Sequence, residues 1–543
     1  MVKGNSHGVN HKERNSQMYR TIFIILLFVA ILAAEEAVGQ IKKPARDSYR
    51  EPFRTYWGEK EGNAALPKGI TGEYCKLTVS PKTLPDPLLR YRLHILPAEY
   101  ESGNAYPLIV EALVNFNEVL NRRVQNMLDS NESRSLGVDA DREKVNQLRF
   151  KAFPLYSHWN KGSYTTVTAE QEAALFEDLA SADVFKLLDR ASRKRYYDWS
   201  ERYEPNGIAT RLPNIHEFRY LIRYLQGKAD WEIRNGKYED AVKTIRIGYT
   251  LGNLLQNSTP SPFLVTLLIG ISAVQGMHDQ LQNLLNQPDA PNLYPALTQL
   301  HFSYATFLTT LYSEQQWLYP RFGHPDLYEK IDKATSEECK AILNDAFTEL
   351  SLALDMTDVP QKMPLLVSGF CLAEYPFARQ RLVDKGYTEE QIEALSTYQI
   401  VVPYFLEAIQ RAYDLMYVSA SFSPGESHTA IIFDDRYFYD DRSDPAKMYL
   451  SMLFPATQSA DAAFRRQTQL IDRLKIVEAI RYYAAVHDGK LPQSLDEIKE
   501  VAVPKIDPIT GKPYIYKAEG NTATIDYTRT TQAPSRIELK IGK

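Results

Sequence analysis

The sequence predicts a mainly α-helical protein, built of helical hairpins and ending in a small C-terminal α+β module. Three observations carry that expectation. From Leu108 onward Ile109, Ala112, Leu113, Phe116, Leu120, Val124 and Met127 recur with a helical period and form one buried stripe. Between Leu221 and Gly252 the spacing of Leu225, Ala229, Gly236, Tyr238, Ala241, Ile245 and Gly248 matches one tetratricopeptide-like hairpin. Near the end, a long amphipathic segment precedes three strand-like runs, Tyr514–Tyr516, Ala523–Tyr527 and Ile537–Ile541.

Length and composition bound the answer. At 543 residues the chain is too long for one ordinary core, so two to four domains are expected. With 44% hydrophobic and 24% charged residues, it carries too much apolar surface to stay disordered. A net charge of −5 supplies no global basic field for a polyphosphate, so no nucleic-acid partner is expected. Tyr outnumbers Phe, 35 to 22, which suits half-buried helix faces and wet interfaces. Cys75, Cys339 and Cys371 form no C-x-x-C pair, which argues against a thiolate zinc site. One disulfide and buried free thiols both stay open.

The N-terminus sets the compartment. A polar, basic stretch to Arg20 is followed by the uncharged apolar run 21–34 and then by Ala37-Val38-Gly39. That order is a secretory signal peptide with cleavage after Gly39. The run is shorter than the roughly 20 residues a spanning helix needs. The alternative is an uncleaved anchor in the inner membrane through residues 21–34. Either way the protein is expected to be exported, periplasmic or secreted, and to touch membrane, if at all, only through this segment when it is uncleaved.

After this segment (1–39), residues 40–105 read as irregular, rich in Pro, Gly and charge. Residues 106–300 read as a helical domain. Pro107 suits the first turn of its first helix. Thr168-Ala169-Glu170-Gln171 is a capping box opening a helix through Leu175, Leu179, Val184 and Leu188. Arg193-Lys194-Arg195 then reads as a solvated helix end whose cations suit the dipole. The tetratricopeptide-like hairpin turns at Gly236 and Tyr238, with small residues at Ala229, Ala241 and Gly248 for close approach. Pro260 and Pro262 precede another helix, Phe263 to Leu285.

Residues 301–460 read as a second helical region. Its helices are His301–Tyr312, Ser336–Leu354, Leu365–Asp384, one capped by Thr388-Glu389-Glu390-Gln391, and Ile400–Tyr417. An acidic loop, 434–444, interrupts it. Residues 461–543 read as the α+β module: helix Ala462–Val486, a short second helix over Leu491–Ile498, a turn from Asp507 to Pro513, and the strands.

No motif of catalysis emerges. There is no H-E-x-x-H, no G-x-S-x-G elbow and no P-loop. His216-Glu217 and His278-Asp279 are the acid–base candidates, and the blander reading makes Arg219 and Asp279 a buried pair fixing helix packing, with Asp198 in a similar role. Asp434, Asp435, Asp440 and Asp441 are the metal candidates, because clustered loop carboxylates suit Ca²⁺. Their spacing departs from an EF-hand, so a solvated acidic loop is the reading, and no cofactor or metal is expected.

Three blocks carry a family likeness: Tyr91-Arg92-Leu93 with Gly103-Asn104-Ala105; Asp198-Trp199 through Arg219, Gly236, Asp279-Gln280 and Pro288; and Ala479 to Tyr516 with His487-Asp488-Gly489-Lys490-Leu491-Pro492. Together they resemble a large uncharacterised family of secreted or membrane-tethered bacterial proteins of planctomycete type. The last block is also similar to the globular tail of type II secretion pseudopilins, which implies a helix followed by a small sheet.

The functional expectation is a helical scaffold or interaction protein of the cell envelope. It would bind a protein or peptide through an aromatic surface whose candidates are Tyr196, Trp199, Trp231 and Tyr238. The alternative is a periplasmic hydrolase with a carboxylate pair or metal in an inter-helix cleft, since such pairs need no motif.

Overall fold

The computed structural model describes residues 70, 73–129, 169–199, 215–257, 263–318, 333–353, 359–421, 446, 455–528 and 534–542. In chain order these begin with β1 (Tyr74–Val79), β2 (Glu101–Asn104), α1 (Tyr106–Asp129), α2 (Ala169–Ser181), α3 (Val184–Ser192) and β3 (Lys194–Tyr196). Then come α4 (Ile215–Arg234), α5 (Tyr238–Gln256), α6 (Leu264–Leu285), α7 (Tyr294–Leu297) and α8 (Tyr304–Leu318). The second helical region holds α9 (Ser336–Ala353), α10 (Val359–Asp384), α11 (Glu389–Glu393) and α12 (Thr397–Ser421). The chain ends with α13 (Pro455–Val486), β4 (Ile515–Glu519), β5 (Thr522–Thr528) and β6 (Pro534–Ile541). The protein is mainly helical with a C-terminal unit of helix followed by strands, as its sequence predicts.

Local chemistry explains the boundaries. Pro107 lies in the first turn of α1, where its missing N–H costs nothing. At α11 the Thr388 hydroxyl accepts from the Gln391 N–H, and the Gln391 side chain accepts from the Thr388 N–H at 2.8 Å. Gly236, at φ +70°, makes the sharp turn between α4 and α5. The expected helix through Leu175 and Leu188 is instead two, because Asp183 adopts φ 57° between α2 and α3. Leu491–Ile498 forms bends and turns rather than a helix. Leu491, Leu495 and Ile498 are each buried in the core, so packing sets its path.

The N-terminal segment that reads as irregular supplies a strand. In the four-stranded sheet the order is β1-β6-β5-β4, with β1 parallel to β6 and the other pairs antiparallel. Cys75, Leu77 and Val79 point into the core while Lys76 and Thr78 point out. Likewise Lys194 to Tyr196 is not a helix end but strand β3, parallel to β2.

One apolar core runs from Cys75 on β1 through α1 to α7 and on to Ile541 on β6. The interior therefore does not divide between residues 460 and 461: α13 and the sheet share it with the first helical region. A second cluster unites α9, α10 and α12, and a third joins α6 and α8 to the start of α13 through Leu267, Phe307 and Phe464.

At the centre of the main core α13 carries buried charge. Arg481 donates through Nη1 to Glu478 Oε2 at 2.7 Å, through Nη2 to Ala290 O at 2.8 Å and through Nε to Ser80 O at 3.0 Å. Glu478 accepts the Leu293 N–H at 2.7 Å, and Asn292 donates to the Glu478 and Lys82 carbonyls. Two turns earlier Arg473 donates to Glu73 at 3.2 Å and lies 4.2 Å from the Tyr527 ring centre, whose hydroxyl also donates to Glu73. These bonds tie the stretch before β1, the loop before α7 and β5 to a single helix.

Candidate functional site

The hairpin α4–α5 brings together what its sequence places ten or so residues apart. Beside its turn lies an open cavity of about 210 Å³, lined by Phe185 of α3, Lys228, Trp231 and Glu232 of α4, and Lys237, Asp240 and Lys243 at the start of α5. Lys228 and Glu232 stand one turn apart on α4, Asp240 and Lys243 one turn apart on α5, so helical spacing alone aims them at the same space.

The floor of the cavity is the Lys228–Glu232 ion pair, whose carboxylate also accepts the buried Thr244 hydroxyl at 2.7 Å. Burial pushes the Glu232 carboxyl up, and Lys228 only partly counters it. The rim is cationic and aromatic. Lys237 Nζ sits 4.6 Å from the Trp231 ring centre, and Lys228 and Lys243 lie 4.6 and 5.7 Å from that of Phe185. Among the described residues Lys237 and Lys243 make no ion pair, so two ammonium groups held on aromatic faces remain available to an acceptor.

The sequence-expected binding aromatics are placed differently. Trp231 lines the cavity and packs on Phe176 with ring centres 5.5 Å apart. Tyr238, the first residue of α5, is half-buried against the core. Tyr196 is exposed on β3. Trp199 is not a surface residue: it is 3% exposed and packs on Phe263, because the segment after β3 turns inward. Phe185 and the three lysines escape sequence reading, since nothing in the sequence pairs α3 with α5.

The other candidates resolve as structure. His278 is buried on α6, and burial together with Arg473 holds its pKa well below the usual value, so it is a neutral core group. The His216 side chain lies outside the described residues. Arg219 is exposed on α4; among the described residues the buried arginines are Arg465, Arg473 and Arg481, all on α13. Asp198 is held through its backbone, where Asn104 Oδ1 accepts its N–H at 2.9 Å. Asp434, Asp435, Asp440 and Asp441 lie outside the described residues, and among the described ones no His, Cys, Asp and Glu group converges to hold a metal. All three cysteines are free and buried; burial pushes Cys339 up to about 11 and Cys371 up to about 12, so neither offers a thiolate.

Searches against family models, curated proteins and solved structures return no match, so the chemistry of the cavity rests on its own geometry.

Proposed function

We propose that this protein is an exported helical interaction module that docks a protein or peptide of the cell envelope at the cavity beside the α4–α5 turn. The observation that carries this reading is the pairing of Lys237 with Trp231 and of Lys243 with Phe185 around an open space. Flat apolar faces with preset cations suit a peptide whose side chains include carboxylates. The tetratricopeptide-like spacing of the hairpin supports the same use, as helical hairpins present side chains along an open face. For location, support comes from the signal-like residues 1–39 and the pseudopilin-like order of the last unit. No described helix is long and apolar enough to cross a membrane.

The hydrolase alternative has one observation in its favour: Glu232 and Asp240 share the cavity, and the Asp240 charge adds to the upward shift of Glu232. Glu232 is nonetheless engaged by both Lys228 and Thr244, which suits a structural carboxylate better than an acid that must exchange protons.

A photo-crosslinking side chain placed at Lys243 tests the docking reading in envelope extract. One discrete adduct is expected, lost in Trp231→Ala and weakened in Lys237→Glu. No adduct, or one that Trp231→Ala leaves unchanged, overturns it.

A further inference from the structure

The seam between α3 and α5 continues one helical turn beyond the cavity, from Phe185 to Asp189 on α3 and from Lys243 to Arg246 on α5. The chain from Arg92 to Glu99 joins it there, and charge balance fails. Arg92 is matched by Glu99 in a two-bond fork of 3.0 and 2.9 Å. Arg193 is matched by Asp189 at 2.6 Å. Arg246 has to share Asp189 with Arg193, and its contact with Asp189 Oδ1, at 4.0 Å, is an ion pair beyond hydrogen-bond reach.

That third guanidinium is 12% exposed. Burial is the main cause that pulls its pKa down; the Asp189 and Glu99 carboxylates oppose it, and the Arg92 and Arg193 charges add to it. Among the described residues three buried nitrogens here have no hydrogen-bond partner: Arg246 Nε, Arg193 Nε and His94 Nδ1. Among the described residues Asp189 Oδ1 likewise has no hydrogen-bond partner, so this oxygen and the Arg246 guanidinium stand 4.0 Å apart without a bond. Buried polar groups are nearly always satisfied, and a largely buried cation that shares its carboxylate with a second arginine is retained at a cost in stability.

We propose that Arg246, with Arg193 and His94, forms a binding site for one oxyanion group, a phosphate or a carboxylate. Two guanidinium N–H groups and a neutral imidazole N–H are the donors such an oxygen needs. The site requires no protein partner and stands apart from the docking cavity.

Thermal unfolding of the full exported chain at matched ionic strength tests it, with sodium chloride, phosphate and acetate compared. The wild type is expected to show a saturable rise in Tm of a few degrees in one oxyanion over chloride, and the better anion tells phosphate from carboxylate. Arg246→Gln is expected to lose that rise while unfolding no lower than wild type in chloride, because it removes a like charge from between two arginines. Lys243→Gln, in the cavity, keeps the response, which separates this site from the docking reading. No oxyanion-specific rise, or an equal rise in Arg246→Gln, overturns the proposal. If Arg246→Gln does not fold, calorimetric titration of phosphate and of acetate into wild type decides, and the absence of saturable heat with both overturns it.

Discussion

Arg481 donates to Glu478 across one turn of α13 at 2.7 Å, and neither side chain reaches solvent. Burial raises the Glu478 carboxyl, while Arg481 and the Leu293 N–H pull it back toward the charged form. The pair binds the loop before α7 and the residues after β1 to the long helix. Its value lies in completeness: each charge meets a partner, and backbone groups take up the remaining valences.

Removing one partner should be far worse than removing both. Glu478→Ala is expected to cost about 3–5 kcal/mol in denaturant unfolding, because it strands the guanidinium in the core. The double variant Glu478→Leu with Arg481→Met should recover much of that loss. A single variant within about 1 kcal/mol of wild type would show the pair to be dispensable.

The C-terminal unit should not fold alone. Residues 461–543 lack β1, whose partner β6 would become an open edge, and lack Glu73, which accepts from both Arg473 and Tyr527. A purified 461–543 fragment is expected to give poorly dispersed amide resonances. A well-dispersed spectrum would contradict the shared core.

Close helix packing makes two glycines unequal. A methyl group on Gly270 of α6 would stand 2.5 Å from the Gly252 carbonyl of α5, backbone that cannot step aside. One on Gly248 first meets the Sδ, Cγ and Cε atoms of Met277, a flexible side chain that can change rotamer where backbone cannot. Gly270→Ala should therefore lose roughly 1–3 kcal/mol, and Gly248→Ala clearly less. Equal losses in chemical unfolding would count against so close an approach of α5 and α6.

Glu232 makes stability depend on pH in an unusual direction. Its folded pKa is raised by burial above the ordinary 4.5, so the folded state holds this proton more tightly than the unfolded chain does. Its contribution is complete below the ordinary value and is lost as pH rises through the folded value. Glu232→Gln should remove that component, so the stability difference between variant and wild type should shift in the variant's favour as pH rises above 4.5. A difference independent of pH would show that Glu232 titrates normally.

Much of the local structure was legible. The apolar stripe of α1, the capping box at Thr388 and the turn at Gly236 each depend on residues within a few positions of one another, and each is present. The six residues of β1 carried the period-two signal of Cys75, Leu77 and Val79. So short a run beside Pro- and Gly-rich sequence reads as loop until a partner is known. Of the candidate site, Trp231 was visible as an aromatic near a hairpin turn. Trp199 was misplaced because burial of an aromatic depends on what packs over it.

By itself the sequence determined the helical class, the α4–α5 hairpin and the three final strands, because periodicity and turn chemistry are local. Only the tertiary structure decided that Glu73 reaches Ser535 across 462 residues, that Arg473 and Arg481 are interior, and that Phe185 faces Lys228 and Lys243. A buried arginine reads in sequence as a solvated one, because what distinguishes them is the carboxylates and carbonyls that distant segments bring to it.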